Sequence, residues 1–269
     1  MKFPSLRLVA LVALFFIAAD AANAQHFDIF LARPAVGNQT VIGGADVDNL
    51  AYDDVTRVFE VDLGELGAEF FALEPGVNHP DTNFPTNAYP ASASPLVPGD
   101  TLRLLKTSVS VGGDVADLFY WNGVDPVSFS PAAANFRIEL GDPLTDTPGI
   151  GGSFDDHPFF FIDDISLPGV YLASAYGVVD GFAPSASVYL VMGTESLITP
   201  AFLGITQEEF DLLDEEALDE ALELVIEQAA EWVESNLVVP EPGTLVLASA
   251  ASCALLLTSR RQRRHEFRA

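Results

Sequence analysis

Basic residues are scarce in this chain. Its 269 residues include 12 Lys+Arg against 39 Asp+Glu, a formal net charge of −27. From Gln25 to Pro240 there are 5 Lys+Arg and 36 Asp+Glu; the other basic residues sit in the first seven and last ten positions. A body this acidic repels nucleic-acid phosphates and anionic lipid, which excludes nucleic-acid binding. It suits a saline or cation-rich exterior, or divalent ions; solubility alone is the plainer reading. Cysteine is almost absent. Cys253 is the single one, so a disulfide within the chain and a cysteine-based zinc site are excluded. Also missing are G-x-S-x-G, H-E-x-x-H and a P-loop, so a non-enzymatic protein is expected. A secreted hydrolase is the lower alternative, because a Ser-His-Asp triad or a carboxylate pair need not be close in sequence.

What is present begins with an export signal. Lys2 and Arg7 precede an apolar stretch, Leu8 to Ala19, and then Ala22-Asn23-Ala24. This is the n-region, h-region and A-x-A arrangement of a secretory signal peptide, residues 1–24, with cleavage expected after Ala24. The apolar core is too short for a comfortable membrane span.

Residues 25–199 read as strands and turns. With 49% hydrophobic residues, the chain is not disordered by composition. Strands are expected at His26–Leu31, Val55–Val61, Glu69–Leu73, Thr101–Lys106, Ala116–Trp121, Asn135–Leu140, Phe159–Asp163, Val170–Val178 and Ser187–Met192, from alternation or short apolar runs bounded by Gly and Pro. Gly43-Gly44 reads as a turn, and Val77 to Ser94 as a long loop holding His79. The fold class is mainly β: an antiparallel β-sandwich or jelly roll. The aromatics Phe119, Tyr120, Trp121, Tyr171, Tyr176 and Tyr189 sit on these strands, where packing is the default role and sugar stacking the alternative.

Residues 200–238 predict an acidic amphipathic helix or stalk. Thr206-Gln207-Glu208-Glu209 is a capping box. Phe210, Leu213, Ala217, Ala221, Leu224 or Val225, Ala229 and Trp232 then form one apolar stripe on a single helix ending near Asn236. Twelve acids and no base lie between Glu208 and Glu234, so such a helix needs its apolar face packed. A partner-binding helix is the sharper alternative to a solvated charged face.

The tail has three ordered parts: Pro240-Glu241-Pro242, an apolar run from Leu245 to Leu257, and Arg260, Arg261, Arg263 and Arg264. The run is marginal as a transmembrane helix, and the arginines set its topology, body outside and residues 265–269 in the cytoplasm. Residues 239–264 resemble the PEP-CTERM sorting domain of Gram-negative bacteria. The resemblance implies that Pro240, Glu241 and Pro242 are recognition residues for an exosortase. It implies a protein sorted to the cell surface or released into extracellular polysaccharide, with signal peptidase and exosortase as processing partners. In the body, His157-Pro158-Phe159, Pro168 to Leu172 and Ser185 to Val191 resemble uncharacterised exported PEP-CTERM proteins.

No cofactor is assigned from these residues, but two metal sets suggest themselves. His26, Asp155 and His157 offer imidazole and carboxylate to zinc or another divalent ion, against a reading as solvated loop residues. Asp46, Asp48, Asn49, Asp53 and Asp54 offer oxygens to calcium, but without the bidentate Glu of an EF-hand; an acidic turn is the plainer reading. A divalent-metal- or polysaccharide-binding module is thus the alternative to a surface or matrix protein.

Overall fold

The computed structural model describes residues 27–46, 51–66, 69–79, 89–97, 99–139, 154–163 and 167–238. The signal segment, His26, the calcium-set members Asp48 and Asn49, Pro240 to Pro242, the apolar run and the four tail arginines lie outside them. Among the described residues no helix is long and apolar enough to cross a membrane.

The chain is mainly β. In order, the strands are β1 (Phe27–Pro34), β2 (Val41–Asp46), β3 (Ala51–Tyr52), β4 (Val58–Leu66), β5 (Glu69–Ala72) and β6 (Val77–His79). Then come β7 (Ala93–Ser94), β8 (Leu102–Thr107), β9 (Val109–Val111), β10 (Asp114–Ala116), β11 (Phe119–Trp121) and β12 (Ser130–Pro131). The last are β13 (Asn135–Glu139), β14 (Phe154–Asp156), β15 (Phe159–Asp163), β16 (Val170–Val179) and β17 (Ser187–Thr194). Among the described residues, a six-stranded sheet runs β14-β6-β1-β2-β3, with β7 also on β1. A nine-stranded sheet runs β12-β11-β16-β17-β4-β5-β15-β13, with β8 also on β16, and β9 and β10 form a separate pair.

The sheets are mixed, which corrects the antiparallel expectation. β1 pairs parallel with β6, and β4 pairs parallel with β17. Alternation along a strand tells which face is buried, but not which distant strand lies beside it. β4 and β17 are separated by more than a hundred residues of chain, so their pairing leaves no local signature. Two turn assignments also change. Gly43 and Gly44 lie inside β2, because a Cβ on Gly43 would sit 2.0 Å from the Asp53 carbonyl oxygen. Here glycine admits a close backbone approach and makes no turn. The long loop from Val77 begins with β6 and ends with β7.

One apolar cluster joins the sheets. Ile29, Leu31, Ile42 and Val77 of the smaller sheet pack with Phe59, Val61, Leu63, Ala173, Leu190 and Met192 of the larger. Gly177 on β16 makes room: a Cβ there would lie 2.1 Å from Leu31 Cδ2. On β4 and β17 the alternate residues face the other way, as the period of two requires. Val191 from β17, with Phe119, Trp121, Val170 and Leu172, forms a second cluster that receives the C-terminal helix.

That helix differs from the single helix expected. The capping box at Thr206 is present but starts only the short helix Gln207–Phe210. The chain then turns, and the Asp214 side chain caps a separate long helix, Glu215–Asn236, by accepting from Ala217 N at 3.0 Å. Its buried residues are Ala221, Leu222, Ile226, Ala229, Ala230 and Val233. The seam is rotated from the expected stripe, leaving Leu224 40% exposed. Leu222, Ile226, Ala229 or Ala230, and Val233 also recur at helical spacing, and Gly193 selects them. A Cβ on Gly193 would lie 2.5 Å from Ile226 Cδ1 and 3.0 Å from Leu222 Cδ1. The helix thus lies against β17 and β4.

Candidate functional site

The register of three strands builds the corner where a metal was expected. Ile29 pairs with Val77, and Val77 with Asp156. One step along, Asp28, Gly76 and His157 are neighbours. Asp28 is buried, and its Oδ1 accepts from Gly76 N at 2.8 Å. Glu74 Oε2 accepts from the same amide at 3.0 Å. Glu74 Oε1 lies 3.2 Å from His157 Nδ1, both side chains being about half exposed. A Cβ on Gly76 would come within 2.8 Å of Asp28 Oδ1 and 3.1 Å of His157 Cε1, so glycine is what lets these groups approach.

Of the residues predicted from sequence, His157 lies in this corner. The Asp155 backbone pairs with Asn78, further along β6. The sequence reading missed Asp28 and Glu74. A signal existed: Asp28 interrupts the apolar run Phe27 to Ala32, and a buried acid requires partners. Among the described residues, no three His, Cys, Asp or Glu side chains meet with spacing suited to a metal.

In the proposed calcium loop, hydrogen bonds to its own backbone take up the Asp53 carboxylate. Oδ1 accepts from Val55 N at 2.8 Å, Thr56 N at 2.7 Å and Gly44 N at 3.3 Å, and Oδ2 accepts from Thr56 Oγ1 at 2.7 Å. Partial burial works against its charge, yet the bonds from Thr56, Val55 and Gly44 outweigh it and hold the carboxyl below its ordinary value. Asp54 accepts from Ser92 Oγ. These two acids therefore tie the 53–56 turn to its surroundings.

His79 is the histidine whose environment sequence reading misplaced most. It is 1% exposed. Leu96 N donates to Nε2 at 3.0 Å, so the neutral ring carries its proton on Nδ1, which donates to Leu31 O at 2.8 Å. Burial pushes its pKa down to about 4, against the raising effects of Leu31 O and Asp100. Phe30 stacks on it, with centroids 5.7 Å apart. The ring is a buried crosslink between β6, β1 and the segment before β8.

A shallow open groove of about 390 Å³ lies at the end of the long helix. Asp125, Pro126 and Val127 form one wall, and Gln228, Glu231, Trp232, Ser235 and Asn236 the other. Trp232 packs on Phe129 with centroids 5.5 Å apart, and Gln228 Nε2 donates to Asp125 Oδ1 across the groove. An indole beside carboxylates and amides can meet an amphipathic ligand.

No protein-family model, curated protein or solved structure matches this chain.

Proposed function

We propose that this chain is an exported, non-enzymatic protein of the cell surface or extracellular matrix, a β-sandwich sorted through a PEP-CTERM tail. The observation that carries this reading is the ordered tail, Pro240-Glu241-Pro242, apolar run and arginine cluster, in a chain that opens with a signal-peptide pattern. The architecture is compatible with it. The cysteine-free body has a substantial shared core, as an exported protein without disulfides requires. The helix seated on the larger sheet ends at Asn236, four residues before Pro240. In the host cell, deleting Val239 to Ala269 should abolish surface delivery and leave the body misplaced. Normal processing and location of that deletion would overturn the sorting role. Loss of exosortase should leave the full chain unprocessed at the membrane.

A second reading is a divalent-metal- or polysaccharide-binding module, of which the Trp232 groove, an indole beside carboxylates and amides, favours the polysaccharide. Calorimetry of the full chain with calcium, zinc and a glycan panel tests it. Heat with none of these removes the second reading and leaves the first untouched.

A further inference from the structure

We propose that the groove at the end of the long helix is a subsite for an amine-bearing glycan, a chain of 2-amino-2-deoxyhexose units, and that it turns away uronic-acid glycans. The proposal rests on the polysaccharide reading above and narrows it. One wall is a straight row on the helix. Gln228, Glu231, Trp232, Ser235 and Asn236 stand at positions i, i+3, i+4, i+7 and i+8. That spacing puts them on one face, spread over about 12 Å of the helix axis. Opposite them is the loop at Asp125. Its approach is fixed by two hydrogen bonds: Trp121 Nε1 donates to Val124 O at 3.0 Å, and Val124 N donates to Asn122 Oδ1 at 3.1 Å.

The indole is held by an aromatic ladder. Buried Trp121 meets Phe129 with centroids 6.3 Å apart, and Phe129 meets Trp232 at 5.5 Å. Trp232 itself is only partly buried and lines the groove. A sugar ring carries an apolar C–H face that a fixed indole accepts, and hydroxyls around its edge. The two amides of the row are anchored as well. Gln228 Nε2 donates to Asp125 Oδ1, and Asn236 Nδ2 donates to Trp232 O at 2.7 Å. With the carboxylates of Asp125 and Glu231, the amide oxygens make the lining rich in acceptors. Such a lining calls for a ligand rich in donors.

Charge then selects among sugars. Asp125 and Glu231 are exposed, and neither lysine nor arginine lines the groove. A uronate carboxylate would meet like charge there with no basic side chain of the lining to pair it. A hydroxyl donates one hydrogen, whereas an ammonium donates three and brings the opposite charge. The net charge of −27 attracts any polycation, but that field is diffuse; the indole fixes where a sugar sits. A basic peptide would also meet the carboxylates, yet it offers the indole a flexible stem in place of a rigid ring face edged with hydroxyls.

Titration of the full chain with a glucosamine tetramer, its N-acetylated counterpart, a uronate tetramer and tetralysine tests this, at physiological ionic strength to screen diffuse attraction. Calorimetry gives affinity and indole fluorescence gives location. The chain has two tryptophans and Trp121 is buried, so a change in emission reports Trp232. The glucosamine tetramer should shift the emission and bind about tenfold more tightly than the N-acetylated one. Glu231→Gln should weaken it about fivefold. Glu216→Gln, which removes the same charge in the first turn of the same helix, should leave it unchanged. Equal affinity for the two tetramers, or a preference for the uronate, overturns the amine selectivity and leaves the polysaccharide reading standing. Binding without an emission change, binding indifferent to Glu231→Gln, or an equal response to tetralysine marks charge attraction alone and overturns the subsite. Silence from every glycan removes both the subsite and the reading beneath it.

Discussion

At the scale of single residues, His79 shows how much a side chain can carry unseen. Its strand is only three residues long and runs straight into Pro80, so propensity reads it as loop. The ring's two hydrogen bonds and its burial come from β1 and from Leu96, both distant in sequence. A folded pKa of about 4 against an ordinary 6.5 means the unfolded chain binds the extra proton. Stability from this group is thus present above about pH 6.5 and is lost as pH falls toward 4, by up to about 3 kcal/mol. Urea unfolding should show that slope in the unaltered chain, and His79→Gln should flatten it while lowering stability at pH 7. Gly193 is a second such residue. Gly193→Ala would press a methyl group into Ile226 and Leu222, and should cost about 1–3 kcal/mol in urea unfolding. Ile226→Ala in the same background should partly relieve the clash.

Elements were legible in unequal measure. The strand at Phe136 and Ile138 announces itself by alternation and the one at Phe159–Asp163 by its short apolar run, and β13 and β15 pair as neighbours. The parallel contacts were hidden because nothing in β4 encodes β17. The helix was legible as acidic and amphipathic, but its true start was obscured by the capping box upstream. Asp214 before Glu215-Glu216 was the missed signal, a second cap with acids in the first turn. Asp214→Ala should cost about 1 kcal/mol of stability, whereas Thr206→Ala, which caps only the short helix, should cost less. Paired thermal melts of the two variants check this order. The candidate corner was partly legible. His157 could be singled out because histidine is rare here, yet its partner Glu74 and the neighbouring Gly76 and Asp28 are brought together by tertiary contact, which sequence spacing does not show.

For the whole molecule, charge is the governing quantity. His79 in the smaller sheet loses stability toward acid, whereas the Glu60 carboxyl, pushed up to about 7 by partial burial and then by Glu227, Asp62, Glu223 and Glu234, loses it toward alkali, so the two respond to pH in opposite senses. Net charge alone was fully readable from composition; where the few cations sit was not, because each is placed by tertiary contact. The same scarcity has a consequence for digestion. Between Arg137 and Arg260 there is no lysine or arginine, so trypsin-like proteases have no cleavable bond across β14 to β17 and the long helix. Upstream, Lys106 is the one lysine after Lys2, and its ammonium is held by Asp117 and the Phe136 carbonyl. Trypsin acting on even the denatured chain should leave one large fragment beginning at Ile138, visible as a single band by gel and mass spectrometry. From Ile138 to Ser259 the chain offers this class of peptidase nothing to recognise, so cuts by it fall only before that stretch or in the tail.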